Sequence, residues 1–135
     1  MRNLQGLTNL EDLNLFLTPV GDDGLAHLKG LKQLKRLSLW MTNVTDAGLV
    51  HLAGLTNLQT LDLQSTTVTD AGLKHLAGLT HLQVLNLQET QVSDAGLAHL
   101  RSLKNLRSLS VADTKVSEAG VQFLQQALPR LEISH

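Results

Sequence analysis

The sequence predicts an α/β fold in which short strands and short helices alternate and stack into a right-handed superhelix. Three observations predict it. A unit of 24 residues repeats along the chain, the apolar residues of each unit change from a two-residue to a helical spacing, and residues typical of helix starts recur at one position. The 135 residues are 42% hydrophobic but only 2% aromatic, so leucine must supply most of the core.

Five units follow the pattern LxxLxxLxLxxTxVxxxGLxxLxx, and its seven apolar columns hold only Leu or Val in all five units. A unit of this size cannot bury its apolar residues alone, so neighbouring units must stack on one another. We therefore expect a single domain over residues 1–135. It divides into a partial unit at 1–6, five units over 7–126 and a C-terminal cap at 127–135. The units begin at Leu7, Leu31, Leu55, Leu79 and Leu103.

Alternation of apolar and polar residues predicts one strand in each unit. In the third unit Leu61 and Leu63 alternate with polar neighbours, so the leucines face the core and the neighbours face outward. We expect these strands to pair in parallel, unit by unit. A sixth strand is predicted near 131–133, because Pro129 ends the preceding helix and the alternation then resumes. The other predicted strands lie near 12–16, 36–40, 60–64, 84–88 and 108–112.

Two adjacent columns predict that a helix begins in every unit, near residues 22, 46, 70, 94 and 118. The first column holds residues found at helix N-caps, and the second holds an acid, which the helix dipole favours in the first turn. Strands stack about 4.8 Å apart and helices about 8–10 Å apart, so the array must curve with its strands on the concave side. The cap column is Gly21, Thr45, Thr69, Ser93 and Ser117, and the acid column is Asp22, Asp46, Asp70, Asp94 and Glu118.

This unit resembles the leucine-rich repeat family, in particular its bacterial and ribonuclease-inhibitor-like type. The resemblance covers residues 7–126 and implies a horseshoe solenoid with a parallel concave sheet and short convex helices. It also implies a recognition surface that catalyses no reaction. Many members carry Asn after the strand, where this chain has a threonine column, and we expect its hydroxyls to bond nearby backbone as a substitute ladder. The column is Thr18, Thr42, Thr66, Thr90 and Thr114.

No combination of residues in the sequence points to catalysis, a cofactor or a metal. Four histidines recur at one helical position, but side chains one unit apart lie about 8–10 Å from each other, too far for several to share one zinc. We expect them to form a surface column. The glycines recur with the scaffold instead of forming a phosphate-binding loop, and cysteine is absent. The histidine column is His27, His51, His75 and His99.

Charge argues against a nucleic-acid or membrane partner, since the formal net charge is -1 and either partner calls for a basic excess. The one basic cluster, Lys29 to Arg36, follows a unit with acids at the matching positions. In-register strands should therefore form the surface pairs Glu11–Lys35 and Asp12–Arg36. The chain has no cysteine, no segment typical of a signal peptide and no apolar run approaching about 18 residues, which predicts a cytoplasmic location.

The positions that differ most between units are the outward strand residues and the residues just after them. Phe16 and Trp40 share one such column in adjacent units, and Leu17 and Met41 share the next, which predicts an apolar patch on the concave face. Clustered aromatic residues with Met and Arg are typical of interface hot spots. We expect this face to bind a protein or peptide partner. The predicted partner-binding residues are Phe16, Leu17, Arg36, Ser38, Trp40, Met41, Asp62 and Gln64.

Two alternative functions stay open. The first is a structural, self-associating segment: Met1 and Leu4 occupy helical leucine columns of an incomplete earlier unit, so the first strand is expected to offer an unpaired edge. The second is a recognition module of a larger enzyme or sensor protein. The large concave side chains also have an alternative interpretation, in which they pack under a cap or pair in a dimer.

Overall fold

The computed structural model describes all 135 residues and shows one parallel sheet of six strands in the order β1-β2-β3-β4-β5-β6. Each residue of a strand pairs with the residue 24 positions later, as Leu13 does with Leu37 and Leu61 with Leu85. The repeat period therefore sets the register of the sheet, as predicted. The strands are β1 Asp12–Asn14, β2 Arg36–Ser38, β3 Thr60–Asp62, β4 Val84–Asn86, β5 Ser108–Ser110 and β6 Glu132–Ser134.

Helices alternate with the strands and begin at the predicted positions. Each of the first four is a single turn that continues as a three-residue 3-10 helix, whereas the fifth runs for ten residues. None of these helices is long and apolar enough to cross a membrane. The α-helices are α1 Asp22–Leu25, α2 Asp46–Leu49, α3 Asp70–Leu73, α4 Asp94–Leu97 and α5 Glu118–Ala127. The 3-10 helices are Arg2–Leu4, Ala26–Leu28, Val50–Leu52, Lys74–Leu76 and Ala98–Leu100.

The strands are shorter than the five residues that the alternation predicted. Backbone bonding between units does continue past β1, since the Leu15 amide donates to the Ser38 carbonyl at 2.9 Å and the Leu17 amide to the Trp40 carbonyl at 3.1 Å. Leu17 itself, however, has a φ of 58°, in the left-handed region, so the chain turns there. The sixth strand starts one residue later than predicted, because the Leu131 amide still bonds within a turn, to the Leu128 carbonyl at 3.0 Å.

The core lies between the sheet and the helices as one cluster of 31 buried apolar residues. Leu61 and Leu63, the inward residues predicted for the third unit, are both 0% exposed. The Leu73 and Leu76 side chains reach the same core from the helix side and are equally buried. Stacking thus buries what a single unit would leave in water, and this burial is the main source of stability.

The acid column connects neighbouring units. The Asp46 carboxylate accepts two hydrogen bonds from Thr69 of the next unit, from the backbone amide at 2.7 Å and from the hydroxyl at 2.5 Å. Asp22, Asp70 and Asp94 make the same pair of bonds to residues 45, 93 and 117. The sequence predicted these acids as partners of the helix dipole alone. We call these four pairs of bonds the junction bonds.

The cap column caps helices only in part. Thr45, Thr69 and Ser117 accept a hydrogen bond from a backbone amide of their own helix, whereas Ser93 makes no such bond and Gly21 has no side chain to offer. The hydroxyl of Ser93 still donates to Asp70, as the other three hydroxyls of the column donate to their aspartates. All five residues therefore stand at the N-cap position, as predicted, and three of them cap their helix through a side-chain hydrogen bond.

The hydroxyls of the threonine column bond nearby backbone, as the sequence predicted, and each bond stays within its own unit. The Thr66 hydroxyl donates to the Leu63 carbonyl of its own unit at 2.7 Å, and the other four threonines make the equivalent bond. A threonine hydroxyl lies closer to the main chain than the amide of Asn does, so it reaches only its own turn. These bonds hold the turn that follows each strand.

Candidate functional site

The concave face is built from the outward residues of the six strands and from the segments that follow them. After each of the strands β1 to β4, backbone amides still donate to carbonyls of the next unit. Equivalent residues of neighbouring units therefore stay side by side beyond the strands, at the spacing of the sheet. The residues predicted to bind a partner all lie on this face. The structure brings them together as an aromatic stack, a shallow groove and a row of side chains along one rim.

An aromatic stack occupies the first two units. The rings of Phe16 and Trp40 lie 4.4 Å apart between centroids with an interplanar angle of 25°. Leu17 and Met41 follow them in the chain and are 59% and 47% exposed, and Phe16 is 37% exposed. We call these four residues the apolar patch. Their side chains lie at the surface, although leucine and phenylalanine are usually buried.

Trp40 carries an unsatisfied polar group. Its ring is half-buried, and its indole Nε1 is fully buried without a hydrogen-bond acceptor within the chain. A buried donor without a partner costs about 1–3 kcal/mol, so most buried donors are paired.

A groove of about 380 Å³ lies across β1, β2 and β3, and Arg36 and Ser38 line it. The Arg36 guanidinium bonds both carboxylate oxygens of Asp12, with Nη2 and Oδ2 2.8 Å apart. This hydrogen bond, together with the negative charge of Asp12, raises the pKa of Arg36 above its ordinary value. Beside it, Lys35 Nζ lies 3.0 Å from Glu11 Oε2. Both ion pairs predicted from the register are therefore confirmed.

Side chains at the third strand position shape the turn that follows. The Asn14 side-chain oxygen accepts from the Phe16 amide at 2.9 Å, and Asp62 Oδ1 accepts from the Gln64 amide at 3.0 Å. Such bonds from Asn or Asp to an amide two residues on stabilise turns. Asp62 was predicted to bind a partner, and the structure shows that one of its oxygens already accepts from the main-chain amide of Gln64. This role was missed because the outward position suggested a surface residue.

The rim of the concave face carries a row of residues with an unusual backbone. Five residues, one in each unit, have φ between 54° and 58°, and none of them is glycine. The same backbone conformation directs the five side chains in the same way, so they form one row, which we call the rim row. The sequence did not reveal it, since glycine and asparagine are the residues that signal this conformation. The rim row is Leu17, Met41, Ser65, Glu89 and Asp113.

Gln64 and Glu89 are linked across two units. The Gln64 amide nitrogen donates to Glu89 Oε1 at 3.4 Å, and its side-chain oxygen accepts from Asn86 Nδ2 at 3.2 Å. The Ser65 hydroxyl donates to the other oxygen of Glu89 at 2.5 Å. Glu89 is thereby held at the rim by two side chains of the third unit.

No group of three or more His, Asp or Glu side chains is placed to hold a metal ion. In the histidine column, His27 Nδ1 lies 2.6 Å from Gln5 Nε2, a contact on the helix side. That this column binds zinc no better than scattered surface histidines stays a prediction, which titration would test.

Three cations gather where the sequence indicated no cluster. Lys104, Arg107 and Arg130 line a hollow of about 260 Å³ near the last turn, with no acid among its lining residues. Arg107 Nη1 is fixed there by donating to the carbonyls of Lys104 and Leu106, at 3.0 and 3.1 Å. The three come from two separate segments of the chain, which is why the sequence pattern did not show them. The hollow lies outside the apolar patch and the groove described above.

Comparison with known proteins identifies the repeat. Two family models described as leucine rich repeat match residues 32–92 and 6–28. Internalin C2 of Listeria monocytogenes is similar in structure with a TM-score of 0.84 and 34% identity, over 98% of this chain and 54% of that chain. This chain thus spans about half the length of internalin C2. No curated protein sequence matches the chain.

Two further structures share the fold. A second internalin of Listeria monocytogenes has a TM-score of 0.73 at 21% identity, over 99% of this chain and 43% of that one. A leucine-rich repeat protein of Leptospira interrogans has a TM-score of 0.68 at 25% identity, over 98% and 38%. The parallel sheet, its 24-residue register and the two family matches agree, and the chain belongs to the leucine-rich repeat family.

Proposed function

We propose that the chain is a protein-binding scaffold that recognises a protein or peptide through its concave face. The observation that carries this proposal is the apolar patch, an aromatic stack flanked by Leu17 and Met41 at 59% and 47% exposure. Exposed apolar clusters of this kind mark interaction surfaces in folded proteins. Leucine-rich repeat proteins are in general protein-interaction scaffolds, which agrees with the proposal.

The patch has the composition of an interface centre. Trp, Phe and Met are enriched there, and a few such residues supply most of the binding energy. The neighbouring polar residues have supporting roles: Arg36, Ser38 and Asp62 line the groove, and the Gln64 amide donates to Asp62. Because Asp12 already pairs with Arg36, the guanidinium is held in place and loses little freedom on binding.

Catalysis has no support in the geometry. The threonine hydroxyls, which recur in every unit, donate to carbonyls of their own turns, and no histidine is among their bonded partners. We propose that residues 1–135 form one domain, since a single core cluster runs from Leu15 to Leu131. The cytoplasmic location stays a prediction. Self-association and a place within a larger enzyme or sensor remain the alternatives, and the first is tested by sedimentation velocity of dilute protein.

The test compares two apolar residues on opposite sides of the protein, Trp40 on the strand side and Val50 on the helix side. Immobilised wild type, Trp40→Ala and Val50→Ala capture partners in parallel, and affinities for a captured protein are then measured by calorimetry. Val50 is 49% exposed on the helix side and serves as the matched control. Trp40→Ala should weaken binding by about 2 kcal/mol or more, roughly thirtyfold, and Val50→Ala should leave it unchanged. The reverse pattern, with binding lost only in Val50→Ala, contradicts the concave-face proposal.

A further inference from the structure

The rim row changes chemistry halfway along its length. Its first two members, Leu17 and Met41, are apolar, the third is Ser65, and the last two are Glu89 and Asp113. Because the strands stack in chain order, the order of the row in sequence is also its order in space. One end of the rim is therefore apolar and continuous with the aromatic stack, and the other end is acidic.

Backbone hydrogen bonds fix the spacing of the row. The amides of Leu17, Met41, Ser65 and Glu89 each donate to a carbonyl of the next unit, at 3.0 or 3.1 Å. Successive members are thus one sheet spacing apart, about 4.8 Å. Met41 and Glu89 are two steps apart, about 10 Å, and the whole row is about 19 Å long.

The negative charge at the acidic end has no partner within the chain. The three ion pairs of the structure involve Glu11, Asp12 and Glu118, none of them in the rim row. Both Glu89 and Asp113 are exposed, and Lys115, which follows in the next turn, pairs with neither. Glu89 is held in place by neutral donors, the hydroxyl of Ser65 and the amide of Gln64.

The five residues of the rim row carry side chains although their backbone conformation favours glycine. A positive φ is unfavourable for residues other than glycine, and for Leu, Met and Glu more than for Asp. Glycine would relieve this strain at all five positions and would also remove all five side chains. Strain of this kind concentrates where proteins bind ligands.

We propose that the rim row selects an extended peptide segment that crosses the strands, with an aromatic or aliphatic anchor at one end and Lys or Arg at the other. This inference rests on the proposed function of the concave face. The anchor contacts the apolar patch, and the cation contacts Glu89 and Asp113. An extended chain advances about 3.3 Å per residue, so about three to six residues separate the anchor from the cation.

The experiment selects peptides from a displayed random library of about twelve residues, which is longer than the row requires. Selection on the wild-type chain should enrich Lys or Arg about three to six residues from an aromatic or aliphatic residue. An enriched peptide is then synthesised, together with a version in which Glu replaces its basic residues. Trp40 is the only tryptophan of the chain and lies in the patch, so its emission reports binding there.

Two charge-matched double variants isolate the acidic end. Glu89→Gln with Asp113→Asn should weaken the basic peptide about fivefold and reduce the salt dependence of its affinity. Asp23→Asn with Glu118→Gln removes the same charge from the helix side and should change neither. The Glu version of the peptide should bind more weakly to wild type than the basic one.

The outcomes separate this inference from the proposed function. Enriched peptides that shift Trp40 emission but carry no basic preference, or that bind the Glu89 and Asp113 variant equally well, overturn the charge inference and leave the concave-face proposal standing. Enriched peptides that leave the emission unchanged and bind Trp40→Ala as well as wild type, measured by anisotropy of a labelled peptide, overturn both. A selection that enriches no sequence also counts against both.

Discussion

The two sides of the stack use the repeat in different ways. On the helix side, the junction bonds are the same four times, an Asp carboxylate accepting an amide and a hydroxyl from the next unit. On the concave rim, the residue at the equivalent place in each unit is different, from Leu17 to Asp113. Constant contacts hold the units in register, so the rim can vary without disturbing the stack. Substitutions in the core, at the junctions and on the rim test this division, because their expected effects on stability fall in that order.

The largest effect is expected in the core that both sides share. Leu61 is 0% exposed on the inward side of β3, and its neighbour Thr60 faces outward. Leu61→Ala should lower the free energy of unfolding by about 2–5 kcal/mol, because it removes buried methyl groups and leaves a cavity. Thr60→Ala should cost less than about 1 kcal/mol. Urea unfolding measures both, and equal losses would contradict the assigned direction of the strand residues.

The junction bonds explain why glycine recurs at 48, 72, 96 and 120, which we call the glycine column, and Gly72 tests this explanation. A Cβ added at Gly72 would overlap Asp46 Oδ1 and would lie 3.0 Å from Leu49 Cδ1. Gly72→Ala should therefore destabilise by about 2 kcal/mol, although alanine is the better helix former. Gly78 has no heavy atom within 4 Å of an added Cβ, so Gly78→Ala serves as control.

A double variant distinguishes a local clash from a general intolerance of alanine. In the background of Asp46→Ala the overlapping carboxylate is gone, so adding Gly72→Ala should cost little or become favourable. The reduced cost of Gly72→Ala is measured as a coupling free energy from the two single variants and the double variant. An additive result would contradict the assignment of the glycine column to the junction bonds.

Most of the repeating scaffold was predictable from the sequence, because a strand, a helix start and a buried column each leave a local residue pattern. The junction bonds left the cap and acid columns in the sequence, but not the pairing between them. Thr45 and Asp46 are adjacent in sequence, and only the stacked structure shows that the bond runs from Asp46 to Thr69, 23 residues away. The rim row was hidden for a different reason, since its positive φ occurs in Leu, Met, Ser, Glu and Asp and not in glycine.

The candidate site was predictable in composition and not in geometry. The pairing of Phe16 with Trp40 followed from the 24-residue register, and the structure places the two rings 4.4 Å apart. The orphan Nε1 of Trp40 did not follow, because a repeat pattern says nothing about the acceptors around one indole. The engagement of Asp62 with the Gln64 amide was missed because the outward position of Asp62 suggested a surface residue.

Lowering the pH should weaken the last junction, between Asp94 and Ser117. Hydrogen bonds from the Ser117 hydroxyl, and then from the Ser117 amide, lower the pKa of Asp94 below its ordinary value. Folding therefore favours the ionised carboxylate. Its contribution to stability is fully present above the pKa of the unfolded chain, about 3.9, and is lost as pH falls through the lower pKa of the folded state.

Asp94→Asn should remove this part of the pH dependence and should lower stability at neutral pH by less than Gly72→Ala does, because Asp94 is exposed and screened by water. Urea unfolding between neutral and strongly acidic pH measures the difference. Asp23→Asn, on the exposed side of α1, removes the same charge without touching a junction and controls for net charge. A stability that rises on acidification, or an unchanged pH profile in Asp94→Asn, would contradict the assignment.

The smallest effect is expected at the rim row, and it decides whether these side chains serve the fold. Asp113 has a φ of 56°, an exposed side chain and no side-chain hydrogen bond, whereas its neighbour Ala112 has no such backbone strain. Glycine adopts the left-handed conformation without strain, but it also raises the conformational entropy of the unfolded chain. The two effects oppose each other, so Asp113→Gly should change stability by less than about 0.5 kcal/mol. Glycine at 112 gains no such relief, and Ala112→Gly should cost about 0.5–1 kcal/mol. Thermal unfolding of the two variants, one residue apart, makes the comparison. A loss at 113 as large as that at 112 would mean that the rim row stabilises the stack, and the division between constant helix side and variable rim would then fail at this position.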